Sequence, residues 1–309
     1  MDSFKRTLIV ISLFAQTLIF GDSTIPDISK GERIYQSNCS GCHGMSGRGN
    51  GPASKVLNPL PRNFTDGKYL FRTTPSGSLP TDENIHKTIR NGVIRTSMPS
   101  WEGILNDSDI ADVTSYIKTF AKKFTIQTPA PEVELPSTAP EKTDALVEDG
   151  KMLYRLMECF NCHGSEGRAD GSSSNELEND WGEPIVPPDF AHDSFKGGND
   201  PVDIYRTFST GLTGTPMPAY DDDIFGFSRE DIVGDYSNLE MDYTKDEIKA
   251  FDTWAKNSIS GDELYNKTED EMYAYFRMRK WALVYYVLDQ REKESLIFKL
   301  FKKDYELTQ

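Results

Sequence analysis

Four cysteines stand in two identical arrangements, Cys39 and Cys42 followed by His43, and Cys159 and Cys162 followed by His163. Two thiols separated by two residues can each bond a vinyl group on one flat macrocycle, while the adjoining imidazole reaches the metal at its centre. That is the C-x-x-C-H pattern of covalent haem attachment. A zinc knuckle or a redox-active thiol pair would use similar spacing. The second occurrence, with no cysteine left over, argues for two haem c groups against both.

Iron held by histidine on one face needs a ligand on the other. Met98 lies 55 residues after His43, and Met217 lies 54 after His163. Each is followed by proline and then by an aromatic residue, Trp101 or Tyr220. In the first half Met45 is too near His43 in sequence to reach round the ring, which leaves Met98. In the second half Met152, Met157 and Met241 compete, and methionine is commonly a flexible core residue. Alignment with Met98 selects Met217. His86 aligns with Tyr205 and so has no metal role by repeat, and His192 reads as a solvated surface histidine.

The elements that must position these residues also come in two copies. GERIYQSNCSGCHG is matched by GKMLYRLMECFNCHG, LPRNF by VPPDF, and residues 85–101 by 204–220 at a constant offset of 119. Duplication is the simplest cause. In each copy a first helix runs towards the cysteines, opened in the first copy by a capping box of Ser29 and Glu32. A middle helix starts near Thr81 and near Asp200, with Pro201 at the favoured first position, and ends at Gly92 or Gly211. A last helix is expected after Ser108 and after Thr244. Ile110, Val113, Tyr116 and Ile117 on the former correspond to Ile248, Phe251, Trp254 and Ala255 on the latter, the spacing of one buried helical face.

The 309 residues, 37% hydrophobic, are enough for two cores. Residues 1–23 carry Lys5 and Arg6 ahead of an apolar run from Leu8 to Phe20 and read as a secretory signal peptide, the run being shorter than the about 20 residues needed to span a bilayer. The rest divides into 24–123, a proline-rich linker at 124–148, 149–260, and a helical tail at 261–309. The tail holds WALVYYVL at 281–288, apolar all round and hence buried on more than one side. Eight residues cannot cross a membrane, so folding back, docking to a partner and lying on a membrane surface are the options. The net charge of −15 is uneven: residues 24–148 hold 14 acidic and 14 basic side chains, and 149–260 hold 23 and 9.

On these motifs the chain resembles two fused class I cytochrome c domains, at about residues 27–123 and 149–258. The resemblance implies an all-α fold of two tandem domains, with first and last helices crossing through glycine and aromatic contacts. Gly31, Tyr35 and Tyr116 would make that crossing in the first domain, and Gly150, Tyr154 and Trp254 in the second. It also implies a loop proline carbonyl holding each proximal histidine, from Pro59 or Pro61 and from Pro187 or Pro188. Two covalently bound haem c groups with histidine and methionine ligands leave no open iron position, which favours electron transfer between respiratory redox partners over catalysis. The alternative class is a dihaem enzyme, such as a peroxidase or a thiosulfate-oxidising cytochrome. The expected setting is periplasmic or otherwise outside the cytoplasmic membrane, with membrane association open. The expected partners are redox proteins, basic where they meet the acidic second domain, or a membrane-associated oxidoreductase complex reached through the tail.

Overall fold

The computed structural model describes residues 25–307 apart from residue 235, with side chains described as far as Arg291. The expected signal peptide lies outside the described residues. Among them the secondary structure is α-helix and short 3₁₀ turns, with isolated β-bridges and no strand ladder. Helices of ten residues or more are α1 (Ile28–Asn38), α2 (Asp82–Asn91), α3 (Asp107–Lys118), α4 (Asp144–Leu156), α5 (Pro201–Thr210), α6 (Lys245–Asn257) and α7 (Glu269–Leu307).

In the first unit α1 crosses α3. At Gly31 a β-carbon would fall inside van der Waals contact of the Asp112 carbonyl oxygen, so only glycine permits the approach. Tyr35 packs beside this crossing, its ring centroid 5.4 Å from that of Tyr116. The cap of α1 is Asp27, whose carboxylate accepts from the Ser29 and Lys30 amides, rather than the expected Ser29. A carboxylate two residues earlier satisfies the free N–H groups of the first turn. α2 begins at Thr81 in a reciprocal cap with Asn84, and α3 begins after Asn106, two residues before its expected cap.

The second unit repeats this crossing with a different partner. Gly150 on α4 lies against Ala282 and Tyr286 of α7, where a β-carbon would collide with the Ala282 carbonyl oxygen. The Tyr154 and Tyr286 rings are 5.1 Å apart and tilted by 52°, close to the 5.4 Å and 55° of Tyr35 and Tyr116. The expected crossing through Trp254 on α6 is therefore corrected. The α6 periodicity is real, since Phe251 and Ala255 are buried. Its neighbours are the 229–232 turn and α4, to which it is tied by Arg155–Glu247 at 2.8 Å and by Trp254 Nε1 donating to Asp149 at 2.9 Å.

Residues 281–287 are buried between α4 and the inserted 221–239 segment. The expected division into a domain at 149–260 and a separate tail at 261–309 fails here, because α7 supplies the second unit's closing helix. As far as Arg291 the tail folds back on the second unit, the first of the three options. A buried ammonium, Lys280, is held by Asp222 at 2.7 Å and Ser209 at 3.1 Å, and Arg279 donates to the carbonyls of Phe225 and Phe227. These polar groups fasten α7 to the insertion, since each would be costly to bury unpaired.

The linker is extended as its prolines require, but it is fastened at both ends. Val133 donates to the Thr73 carbonyl at 2.8 Å, Leu135 and Ala139 pack on the second core, and Tyr285 donates to the Pro140 carbonyl. The two units also touch directly. Arg72, 1% exposed, donates to the Thr210 carbonyl at the C-terminus of α5 at 2.6 Å, which satisfies a helix-end acceptor. Among the described residues three ion pairs cross the seam, Lys68–Asp180, Lys87–Asp203 at 3.4 Å and Arg95–Asp193 at 2.8 Å, all from a first-unit cation to a second-unit carboxylate. Part of the acidic excess of the second copy is thus used against the first.

Candidate cofactor site

Each cysteine pair sits on a single helical turn after the first helix of its unit. His43 N donates to the Cys39 carbonyl at 2.9 Å, and His163 N to that of Cys159 at 3.0 Å. Gly44 and Gly164 end these turns at φ +77° and +83°, a backbone region that favours glycine. Tyr35 and Tyr154 fix the exits by donating to the Gly44 and Gly164 carbonyls at 2.7 and 2.6 Å. The histidine rings lie against Phe64 at 4.5 Å and Phe190 at 4.7 Å.

His43 Nδ1 lies 3.0 Å from the Arg62 carbonyl. With its proton placed on that acceptor, Nε2 keeps the lone pair a metal needs. The expected anchors Pro59 and Pro61 are replaced by Arg62, which aligns with Pro188 in the second copy. The Pro188 carbonyl faces His163, but Nδ1 of His163 is buried and outside hydrogen-bond geometry. Burial lowers the pKa of both imidazoles, that of His163 to about 4, and pushes the Cys39 and Cys159 thiols up to about 12. Neutral imidazole is the ligating form.

The methionine loops are also matched. Val93 and Leu212 each donate to the carbonyl of their methionine at 3.1 Å, and Thr96 and Thr215 accept from the methionine amides at 3.1 and 3.3 Å. Trp101 and Tyr220 return to the middle helices by donating to the Ile89 and Phe208 carbonyls.

One continuous cavity of about 900 Å³ is lined by Cys39, Cys42, His43 and Met98 and equally by Cys159, Cys162, His163 and Met217. The sequence did not foretell that both quartets share it. Its wall is mainly apolar, with Arg48, Arg62, Arg95 and Lys196 among the polar residues and the Tyr69 hydroxyl buried without a partner. A flat apolar ring carrying carboxylates fits such a lining. His86, paired with Glu83, and the exposed His192, at 2.8 Å from Asp189, do not line it. Met152 is in the core, Met157 packs against it, and Met45 and Met241 are exposed.

The family described as cytochrome c oxidase, cbb3-type, subunit III matches residues 26–117. Cytochrome c6 of Euglena gracilis is 35% identical over 92 residues, 29% of this chain and 90% of its own length. The chain belongs to the c-type cytochromes. In this cytochrome the likeness extends beyond the first unit: the cbb3-type cytochrome c oxidase subunit CcoP of Azospirillum brasilense is 25% identical over 202 residues, 62% of this chain and 54% of the relative. A chain of the reducing HAO-like protein complex of Kuenenia stuttgartiensis is 36% identical and aligns in space with a TM-score of 0.64, covering 84% of this chain and 95% of that one. The c-type cytochromes hold haem covalently and transfer electrons, and this all-α cytochrome shares that role.

The crossing helix α7 and the residue Trp181, which reaches from the second unit into the first, were missed from sequence. The signal for Trp181 was present. From Gly51 to Phe64 is 13 positions, whereas from the equivalent Gly171 to Phe190 is 19.

Proposed function

We propose that this cytochrome carries two haem c groups and passes electrons between redox proteins outside the cytoplasm, as a carrier or as the electron-transfer subunit of an oxidoreductase complex. Cys39 and Cys42 would bind the first haem, with His43 and Met98 as iron ligands. Cys159 and Cys162 would bind the second, with His163 and Met217. When bound, haem would supply a one-electron couple, and histidine and methionine ligands would raise its potential.

The observation that carries this reading is the single cavity lined by both quartets. The chain's part is to orient: the Arg62 carbonyl sets the His43 ring, the paired threonines set the methionine loops, and the apolar lining excludes water. The shared cavity would hold both haem-binding quartets in one enclosure, which is the arrangement that exchange between two haems would need. The complex-subunit form of the proposal draws on the relatives, which include a cbb3-type oxidase subunit and a member of a reducing HAO-like complex. The acidic excess of the second unit supports a partner that is basic where it docks.

The test is ligand replacement. Met98→Ala and Met217→Ala should each open one iron to carbon monoxide, visible as a shifted Soret band for half of the haem absorbance. An unchanged carbon monoxide spectrum in either variant would refute the ligand assigned to that unit.

A further inference from the structure

The six surplus residues of the second copy build a turn with its own internal bonding. Asn179 donates to the Glu183 carbonyl at 2.9 Å, and its Oδ1 accepts from the Trp181 and Glu183 amides, both at 3.0 Å, while Gly182 sits at φ +74°. The turn is moored to the Met217 loop by Asp180 N donating to the Gly214 carbonyl at 3.0 Å. Trp181, at its tip, leaves its own unit. Its Nε1 donates to Asp66 at 2.6 Å, and its ring lies 4.4 Å from the Arg62 guanidinium, a cation–π contact.

The register position that makes room for this turn differs between copies in an informative way. Gly214, at φ +92°, would place a β-carbon 2.9 Å from the Trp181 ring. Its counterpart at the offset of 119 is Arg95, which holds the left-handed conformation at φ +60° although it has a side chain. Such a residue costs about 1 kcal/mol or more there. The Arg95 side chain crosses to Asp193 of the second unit at 2.8 Å. Each copy therefore uses this position to engage the other.

Arg62 and Lys196 line the same cavity from opposite units. Neither has a carboxylate within 4 Å among the described residues. Arg62 is half-buried, and Glu183, Asp66 and Asp180 act on it from further away than an ion pair. Lys196 is exposed yet lines the cavity, and burial with the charges of Arg95 and Arg62 lowers its pKa against the opposing pull of Asp193. The buried, unpartnered Tyr69 hydroxyl lines the same cavity. Two cations that line an apolar cavity without a direct ion pair are ready partners for an anion that enters it.

We propose that Arg62 and Lys196, with Trp181 holding Arg62 in place, form a carboxylate site across the seam that takes the propionates of the haem bound through Cys39 and Cys42. The second unit thereby completes the first unit's pocket. This rests on the two-haem reading above, and Trp181 acts as a positioning residue through Arg62, whose own carbonyl anchors His43.

The experiment uses the full chain and begins with haem content by the pyridine haemochromogen assay. Fewer than two haems in the unaltered protein would overturn the functional reading and, with it, the premise of this site. With two present, redox titration of Lys196→Gln, Lys196→Arg and Trp181→Leu decides the inference. The first haem is identified as the one that Met98→Ala opens to carbon monoxide. Removing a cation beside it favours the oxidised form, so Lys196→Gln should shift its reduction equilibrium by about tenfold, about 59 mV lower for one electron. Trp181→Leu should move the same haem in the same direction. Lys196→Arg should restore it, and the second haem should stay fixed in all three. Unmoved potentials, or equal shifts at both haems, would overturn the proposal. A wild-type first-haem potential that changes with phosphate concentration at constant ionic strength would instead identify a free anion as the occupant, and would overturn it too.

Discussion

At the scale of the residue, most of the candidate site could be proposed from the chain because covalent haem attachment restricts both residue type and spacing. The cysteine pairs, the following histidines and the two Met-Pro positions were read from the chain, and the structure brings all eight side chains to one cavity. The histidine anchor was not legible. A backbone carbonyl has no residue type, so nothing in the sequence distinguished Arg62 from the neighbouring prolines, and only the alignment of Arg62 with Pro188 could have pointed to it. The tyrosine hydroxyls that close the two cysteine turns make a residue-scale prediction. Tyr154→Phe leaves the buried Gly164 carbonyl without its donor at 2.6 Å. An unpaired buried acceptor costs about 1–3 kcal/mol. Guanidinium denaturation followed at the second haem's absorbance should show a loss of that order, and a loss within experimental error would mean that this bond does not hold the turn.

At the scale of the element, local signals placed the helices but not their partners. The starts at Thr81 and Thr244 and the ends at Gly92 and Gly211 depend on neighbours within one turn, and they were expected correctly. Pairing depends on the whole chain. The apolar face of α6 matched that of α3 in period, yet Gly150 is crossed by α7, because burial in either place needs the same spacing. The better signal was the run at 281–288, whose apolar residues on every side require protein all round it. A deletion tests the correction. Removing residues 269–309 takes away Leu283 and Val287, which line the cavity, and the contacts to Gly150 and Tyr154. The truncated protein should retain the first haem and lose the second, as read by haem content per chain. Two intact haems after truncation would make α7 dispensable to the second unit.

At the scale of the whole molecule, duplication and charge were legible while the mutual placement of the copies was not. The proline-rich segment suggested a spacer, but a linker's composition reports its stiffness and not what it lies against. The seam is built from side chains that single copies do not need: Arg72 on the α5 terminus, the three ion pairs, and the Trp181 turn. Asp180, Asp193 and Asp203 are engaged there, and the basic partner proposed above would have to meet the rest of the acidic excess of residues 149–260. Electron exchange with a small basic cytochrome should accordingly slow as salt rises from about 0.01 to 0.15 M, over which the Debye length falls from about 30 to about 8 Å. Stopped-flow rates that stay flat across this range would count against a basic partner at that surface. The shared cavity makes the strongest demand, since it is lined twice over by the same set of groups. Pyridine haemochromogen absorbance of the full-length protein, set against protein concentration from amino-acid analysis, should give two haems per chain, and a value of one or none would contradict the two-haem account.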